Sequence, residues 1–149
     1  MNIDKLREEL AADEGCKFEI YLDHLGYKTY GIGHLITEDE PEYGYPVGVP
    51  VGEGRVIEAF ETDIAITIAD CDILFDDFAT LPEEAQLILA NMMFNMGLPR
   101  MSKFKKMIAA VEAGDWNEAA VQMQDSKWYN QVTNRAERLI ERMRNVTNA

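Results

Sequence analysis

The sequence predicts an α+β fold, lysozyme-like in outline only once its motifs are read: a small sheet segregated at the N-terminal end of a mostly helical chain. Three observations lead there. A strand-like stretch punctuated by glycines occupies Phe18 to Ile36. An apolar residue then recurs every fourth position at Val56, Phe60, Ile64 and Ile68. Beyond Thr80 the spacing is helical throughout and broken by glycine stops. The 149 residues suit one domain, or two small lobes sharing a core, and the 47% of apolar residues can fill that core.

The elements follow in order. Ile3, Leu6 and Leu10 mark a short amphipathic helix that stops near Asp13-Glu14-Gly15. Tyr27, Thr29 and Gly31 alternate with Lys28, Tyr30 and Ile32 as in a strand, and Asp23-His24-Leu25-Gly26 reads as the turn of a hairpin. Glu38 to Gly54 holds three prolines and four glycines, which predicts a loop with a short strand or turn around Val47 to Val51. The long helix on Val56 links the lobes. Thr80-x-x-Glu83 has the form of a capping box, with Pro82 in the first turn, for a helix through Leu87, Ile88 and Met92 that stops at Gly97. A further helix is expected from about Met101 to Val111, another over Trp116 to Gln124 capped by Asp115, and a last one capped by Thr133 and carrying Ala136, Leu139, Ile140 and Met143. The expected organisation is an N-terminal lobe over about 13–55, a linking helix over about 54–71, and a helical C-terminal lobe over about 72–149 on which the first helix, 2–12, packs. Met92, Met93 and Met96 read as core.

Charge and composition exclude several functions. The net charge of −13 is uneven: residues 100–149 hold 9 Lys/Arg against 6 Asp/Glu, and residues 1–99 hold 5 against 21. Such acidity argues against nucleic acid as a partner, because neutralising phosphates needs a basic face. No apolar run approaches the roughly 18 residues of a membrane span, so no stable membrane association is expected. Met1 to Leu10 alternates charged and apolar residues and is not a secretory signal, which places synthesis in the cytoplasm. Cys16 and Cys71 are then expected as free, buried thiols. There is no CxxC and no metal-ligand spacing around His24 or His34, so no metal and no cofactor are expected.

Chemistry concentrates in Asp13-Glu14-Gly15, Tyr21-x-Asp23 and Gly26-Tyr27-x-Thr29-x-Gly31-Ile32-Gly33-His34. Two carboxylates, Glu14 and Asp23, and one hydroxyl, Thr29, stand here. A hairpin can bring Asp23 and Thr29 together beside Glu14 at the helix end. Glycoside hydrolysis needs this equipment: one carboxylic acid protonates the leaving oxygen, one carboxylate activates water or stabilises the oxocarbenium-like centre, and a hydroxyl can hold the water in line. Spacing alone does not select these residues from 27 acids; taken singly, Asp23 is also a turn residue, Thr29 a strand residue and His34 a structural histidine.

Glu14-x8-Asp23-x5-Thr29 within this glycine and tyrosine pattern resembles the catalytic segment of the phage lysozyme (endolysin) family typified by the T-even phages. Asn91-Met92-Met93-Phe94-Asn95-Met96-Gly97 resembles that family's central core helix. Trp116-x-Glu118-Ala119-Ala120-Val121, Ser126-Lys127-Trp128-Tyr129-Asn130-Gln131 and Asn134-Arg135-Ala136-x-Arg138 match in the same order, so the resemblance covers 1–36 and about 85–142.

The resemblance implies a lysozyme-like fold, a small N-terminal β-hairpin lobe joined by a long helix to a helical C-terminal lobe. It implies a monomeric, metal-free muramidase acting on bacterial peptidoglycan, with a holin-like partner opening the inner membrane for host lysis. It implies Glu14 as general acid, Asp23 as partner carboxylate and Thr29 as holder of the attacking water. Arg135 would lie near Glu14, His34 would pair with Asp63, and Leu35, Phe94 and Gln122 would contact sugars. A cation beside Glu14 would lower its pKa whereas a general acid needs it raised, so either burial offsets the pair or the activity optimum is acidic. Two other readings are a lytic transglycosylase, which needs one Glu and no water, and a non-catalytic glycan-binding virion domain. The segment after the sheet is shorter and richer in proline than in the T-even type, and the chain is acidic where those enzymes are basic.

Overall fold

The computed structural model describes residues 1–148. The chain forms two compact units, one of Asp4–Ile66 and one of Met1–Ile3 with Thr67 onward. The division falls inside a single long helix.

The first unit opens with α1 (Ile3–Glu14), which buries Leu6 and Leu10 one turn apart. It stops where Gly15, at φ 71°, donates its N–H back to the Ala11 carbonyl at 2.9 Å. Three antiparallel strands follow in the order β1-β2-β3: β1 (Lys17–Leu22), β2 (Lys28–Gly31) and β3 (His34–Leu35). Tyr21 lies opposite Thr29 and Leu22 opposite Lys28, while Thr29 and Tyr30 face Leu35 and His34 across the other edge. The expected hairpin turn is present at Asp23–Tyr27, where the Asp23 N–H donates to the Tyr27 carbonyl at 2.9 Å.

The loop expected over 38–54 contains a one-turn 3-10 helix, Pro41–Gly44. Its second half pairs with β1: the Val51 N–H reaches the Phe18 carbonyl, and Ile20 exchanges bonds with Gly48 and Val49. Ile20, Tyr30, Ile36, Val51, Val56 and Ala59 form the core of this unit, with Ile32 and Val49 packed against it. Val56 and Ala59 come from α2 (Glu53–Leu74), the long helix read from the four-residue period.

The second unit is helical. A 3-10 turn, Phe78–Thr80, precedes α3 (Glu83–Met96), whose residues Ala85 to Met93 are all buried. A helix apolar on all sides belongs at the centre of a bundle, and Met92, Met93 and Met96 are core as expected. Then come α4 (Leu98–Met101), α5 (Lys105–Glu112), α6 (Trp116–Gln124), α7 (Lys127–Gln131) and α8 (Thr133–Arg144).

Four local expectations need correction. The capping box at Thr80 does not form, because α3 begins three residues later, behind Pro82, and the Thr80 hydroxyl donates to the Asp77 carbonyl at 2.7 Å to close the preceding turn. The helix expected over 101–111 is split: Ser102 donates its hydroxyl to the Pro99 carbonyl at 2.8 Å, and the chain turns at Phe104 before α5. Thr133 does not cap α8; its hydroxyl donates to the Tyr129 carbonyl at 2.8 Å, ending α7, a helix that was not expected and is capped by Ser126. Cys71 is a buried free thiol, but the free Cys16 is exposed. Asp115 does cap α6, accepting from the Glu118 N–H at 3.1 Å.

Candidate active site

Glu14, Asp23, Thr29, His34 and Asp63 all belong to the first unit, and the elements just described position each of them. Glu14 is the last residue of α1. Its carboxyl lies against Gly33, so closely that a Cβ on that glycine would stand 2.8 Å from Cδ and 2.9 Å from Oε2. Real Cβ atoms do not approach so near, and Gly33 also sits at φ 64°, where side chains other than hydrogen are strained.

Asp23 forms an Asx-type turn. One oxygen, Oδ1, accepts from the Leu25 and Tyr27 N–H groups, both at 2.9 Å. The residue that holds the hairpin turn thereby has its carboxylate fixed in orientation, with Oδ2 outside those two bonds. Thr29 is nearly buried, at 3% exposure, and its hydroxyl donates to the Tyr27 carbonyl at 3.0 Å. With that proton committed, the oxygen's lone pairs remain for accepting. Asp23 and Thr29 are thus tied to the same residue, Tyr27, one through its N–H and one through its carbonyl.

His34 pairs with Asp63 as the resemblance implied, Nδ1 to Oδ2 at 2.7 Å, but it has a second acid partner. Nε2 meets both oxygens of Glu40 at 2.8 and 2.9 Å. Acceptors on both ring nitrogens call for hydrogens on both, which is the imidazolium form. Burial opposes that charge, yet the bonds and charges of Asp63 and Glu40 outweigh it and hold the His34 pKa above its ordinary value. Glu40 also takes Arg55 Nη2 at 2.9 Å and the Tyr30 hydroxyl at 3.2 Å, while Arg55 Nε meets the buried Glu42 at 2.7 Å. Burial would raise the Glu40 pKa, but the Thr37 N–H and His34 keep it lowered, and the bond from Arg55 lowers that of Glu42. Glu40, Glu42 and Arg55 went unassigned in the sequence, since only the Arg55–Glu58 pair has a legible helical spacing.

Of the remaining candidates, Leu35 lies half-exposed on β3. Phe94 on α3, Gln122 on α6 and Arg135 on α8 belong to the second unit, the first two partly buried. Arg135 is buried and donates through Nε to Asn91 Oδ1 at 2.8 Å. Gln122 donates to Glu118 at 2.7 Å and lines a cavity of about 590 Å³ with Phe104, Trp128 and Lys105. Among the described residues no group of three or more His, Cys, Asp or Glu is placed to hold a metal ion. No helix is long and apolar enough to cross a membrane.

The family model of phage lysozyme matches residues 11–145, which includes every one of these positions. The chain belongs to the phage lysozyme family. As a phage-type lysozyme it has relatives of differing architecture. A probable T4-type lysozyme of Dictyostelium discoideum is 32% identical over 93% of this chain and 92% of its own length. The pre-baseplate central spike protein Gp5 of Enterobacteria phage T4 is 32% identical over 90% of this chain but only 26% of its own. A peptidoglycan hydrolase, gp36, of Pseudomonas phage phiKMV is 31% identical over 92% of this chain and 15% of its own. The same lysozyme unit therefore stands alone or within longer proteins. Family membership bears out the lysozyme-like α+β fold and the enzyme class expected from the sequence.

Proposed function

We propose that this chain is a muramidase that hydrolyses the β-1,4 bond between N-acetylmuramic acid and N-acetylglucosamine in bacterial peptidoglycan, with inversion at the anomeric carbon. The observation that carries the reading is the pairing of Asp23 and Thr29 through Tyr27. A water molecule has two protons to donate. Thr29, its own proton committed to a carbonyl, accepts one; Asp23, with Oδ2 outside the turn, takes the other and removes it as the bond forms. The water's lone pair is then the group left to face the sugar. Glu14 supplies the proton for the leaving oxygen. An inverting enzyme needs roughly 6.5–9.5 Å between its two carboxyl groups to admit that water, against about 5 Å for a covalent route.

A lytic transglycosylase has no use for a held water, and a binding domain none for an acid and a base. The name of the phiKMV relative, a peptidoglycan hydrolase, supports the substrate class. Arg135 is assigned to orient Glu14, His34 with Asp63 to brace the sheet, and Leu35, Phe94 and Gln122 to contact the sugars. The biological role that fits is host lysis by a monomer released through a holin-like partner.

The test is a comparison of muropeptides from wild type, Glu14→Gln, Asp23→Asn and Thr29→Ala on purified wall, with proton NMR of the first product. The expected outcome is an α-configured hydrated reducing end from wild type and loss of most activity in each folded variant. An anhydro product would establish the transglycosylase instead, and initial release of the β-anomer would remove the water-holding role of Asp23 and Thr29.

A further inference from the structure

Tyr21 stands among the three residues assigned above to chemistry. It lies directly opposite Thr29 in the β1–β2 register, and direct antiparallel partners present their side chains on one face of a sheet. Asp23 follows two residues later, on the same side by strand alternation. The Lys17 ammonium sits 4.5 Å from the centre of the Tyr21 ring, which steadies the ring from one side. The phenol oxygen faces the Gly33 N–H, and Gly33 is the residue that abuts the Glu14 carboxyl. Burial, with the charges of Glu14 and Asp23, pushes the phenol pKa up, so at neutral pH the hydroxyl keeps its proton.

We propose that Tyr21 is a positioning residue for the proton donor: its hydroxyl receives the Gly33 N–H, holds that peptide against the Glu14 carboxyl, and turns its own proton toward the carboxylates. The proposal rests on the assignment of Glu14 as the acid. A phenol has one proton to give and lone pairs to accept with. Once Gly33 uses a lone pair, the proton is left for an acceptor, and Glu14 and Asp23 are the acceptors whose charge the phenol feels. Gly33 has a left-handed backbone and no side chain to anchor it. Freed from the phenol, its peptide would turn more easily, and the space that confines Glu14 would widen. A donor aimed at a carboxylate favours the charged form, so the phenol also sets how readily Glu14 gives up its proton.

The experiment measures kcat, KM and the pH profile on soluble glycan chains for wild type, Tyr21→Phe and Glu14→Gln, with thermal unfolding alongside. Tyr21→Phe keeps the ring and loses only the hydroxyl. It is expected to lower kcat roughly tenfold with KM changed less than about twofold, and to move the alkaline limb of the kcat/KM profile upward. Site-specific 3-fluorotyrosine at position 21, which keeps the shape and strengthens the donor, is expected to move that limb downward. It also secures the test if Tyr21→Phe folds poorly. An unmoved alkaline limb in both variants, with Glu14→Gln inactive, would overturn the role of Tyr21 alone, whether or not kcat had fallen. An active Glu14→Gln would instead remove the assignment on which it rests.

Discussion

Gly33→Ala offers a strict test of where the acid sits, because it can be matched against a control with the same backbone cost. Both Gly33 and Gly26 have left-handed backbones, φ 64° and 86°. An L side chain there costs roughly 1–2 kcal/mol, or about 2–6 °C in Tm for a chain of this length. Their surroundings differ. A Cβ at Gly26 meets nothing within 4 Å, whereas one at Gly33 meets Glu14 Cδ at 2.8 Å and must push it out to the 3.4 Å where ordinary contact begins. The two variants should therefore lose similar stability in urea titrations. Only Gly33→Ala should also lose activity, on the order of tenfold to a hundredfold, since displacing a reacting group by about an ångström has that effect. Turbidity assays on wall suspensions at a temperature where both are folded read the difference. Equal activity in the two variants would refute the reasoning, because Glu14 would then not act from beside Gly33.

The His34 cluster makes stability depend on pH. Its pKa is raised on folding, so its contribution is complete below the unfolded value near 6.5 and is lost as pH rises through the folded value. Urea midpoints should fall across that window, and Asp63→Asn or Glu40→Gln should flatten the dependence. Arg55→Met strips the buried Glu42 of its cation and should cost about 3 kcal/mol in urea unfolding; a loss under half a kilocalorie would mean that water replaces the guanidinium. Native protein should react at once with one equivalent of a thiol reagent, at exposed Cys16, and with a second only on unfolding, since burial pushes the Cys71 thiol up to about 12. Two fast equivalents would show that α2 opens around Cys71.

Elements whose signal lies within a few residues were legible in the chain. The period of Val56, Phe60, Ile64 and Ile68 announced α2, and the Asp23–Gly26 turn announced the hairpin. Asp115 as a cap needed only the Glu118 N–H three positions on. Side chains with two local choices were not legible. Thr80 and Thr133 can each cap a following helix or close a preceding turn, and both close the turn, because the backbone path through Pro82 and Val132 favours it.

The acid, its partner carboxylate and the hydroxyl could be named from Glu14, Asp23 and Thr29 because their spacing within a glycine-rich pattern is a family signature, and membership of the phage lysozyme family supports the reading. Their surroundings came only from the folded chain. Gly33 reaches Glu14 across 19 positions, Glu40 and Asp63 meet on His34 from opposite sides in sequence, and Arg55 reaches back to Glu40 and Glu42. Such partners share no period and no motif. A hydrogen bond acts over about 3 Å, and which groups come within that range depends on how sheet, loop and α2 pack rather than on any pattern along the chain.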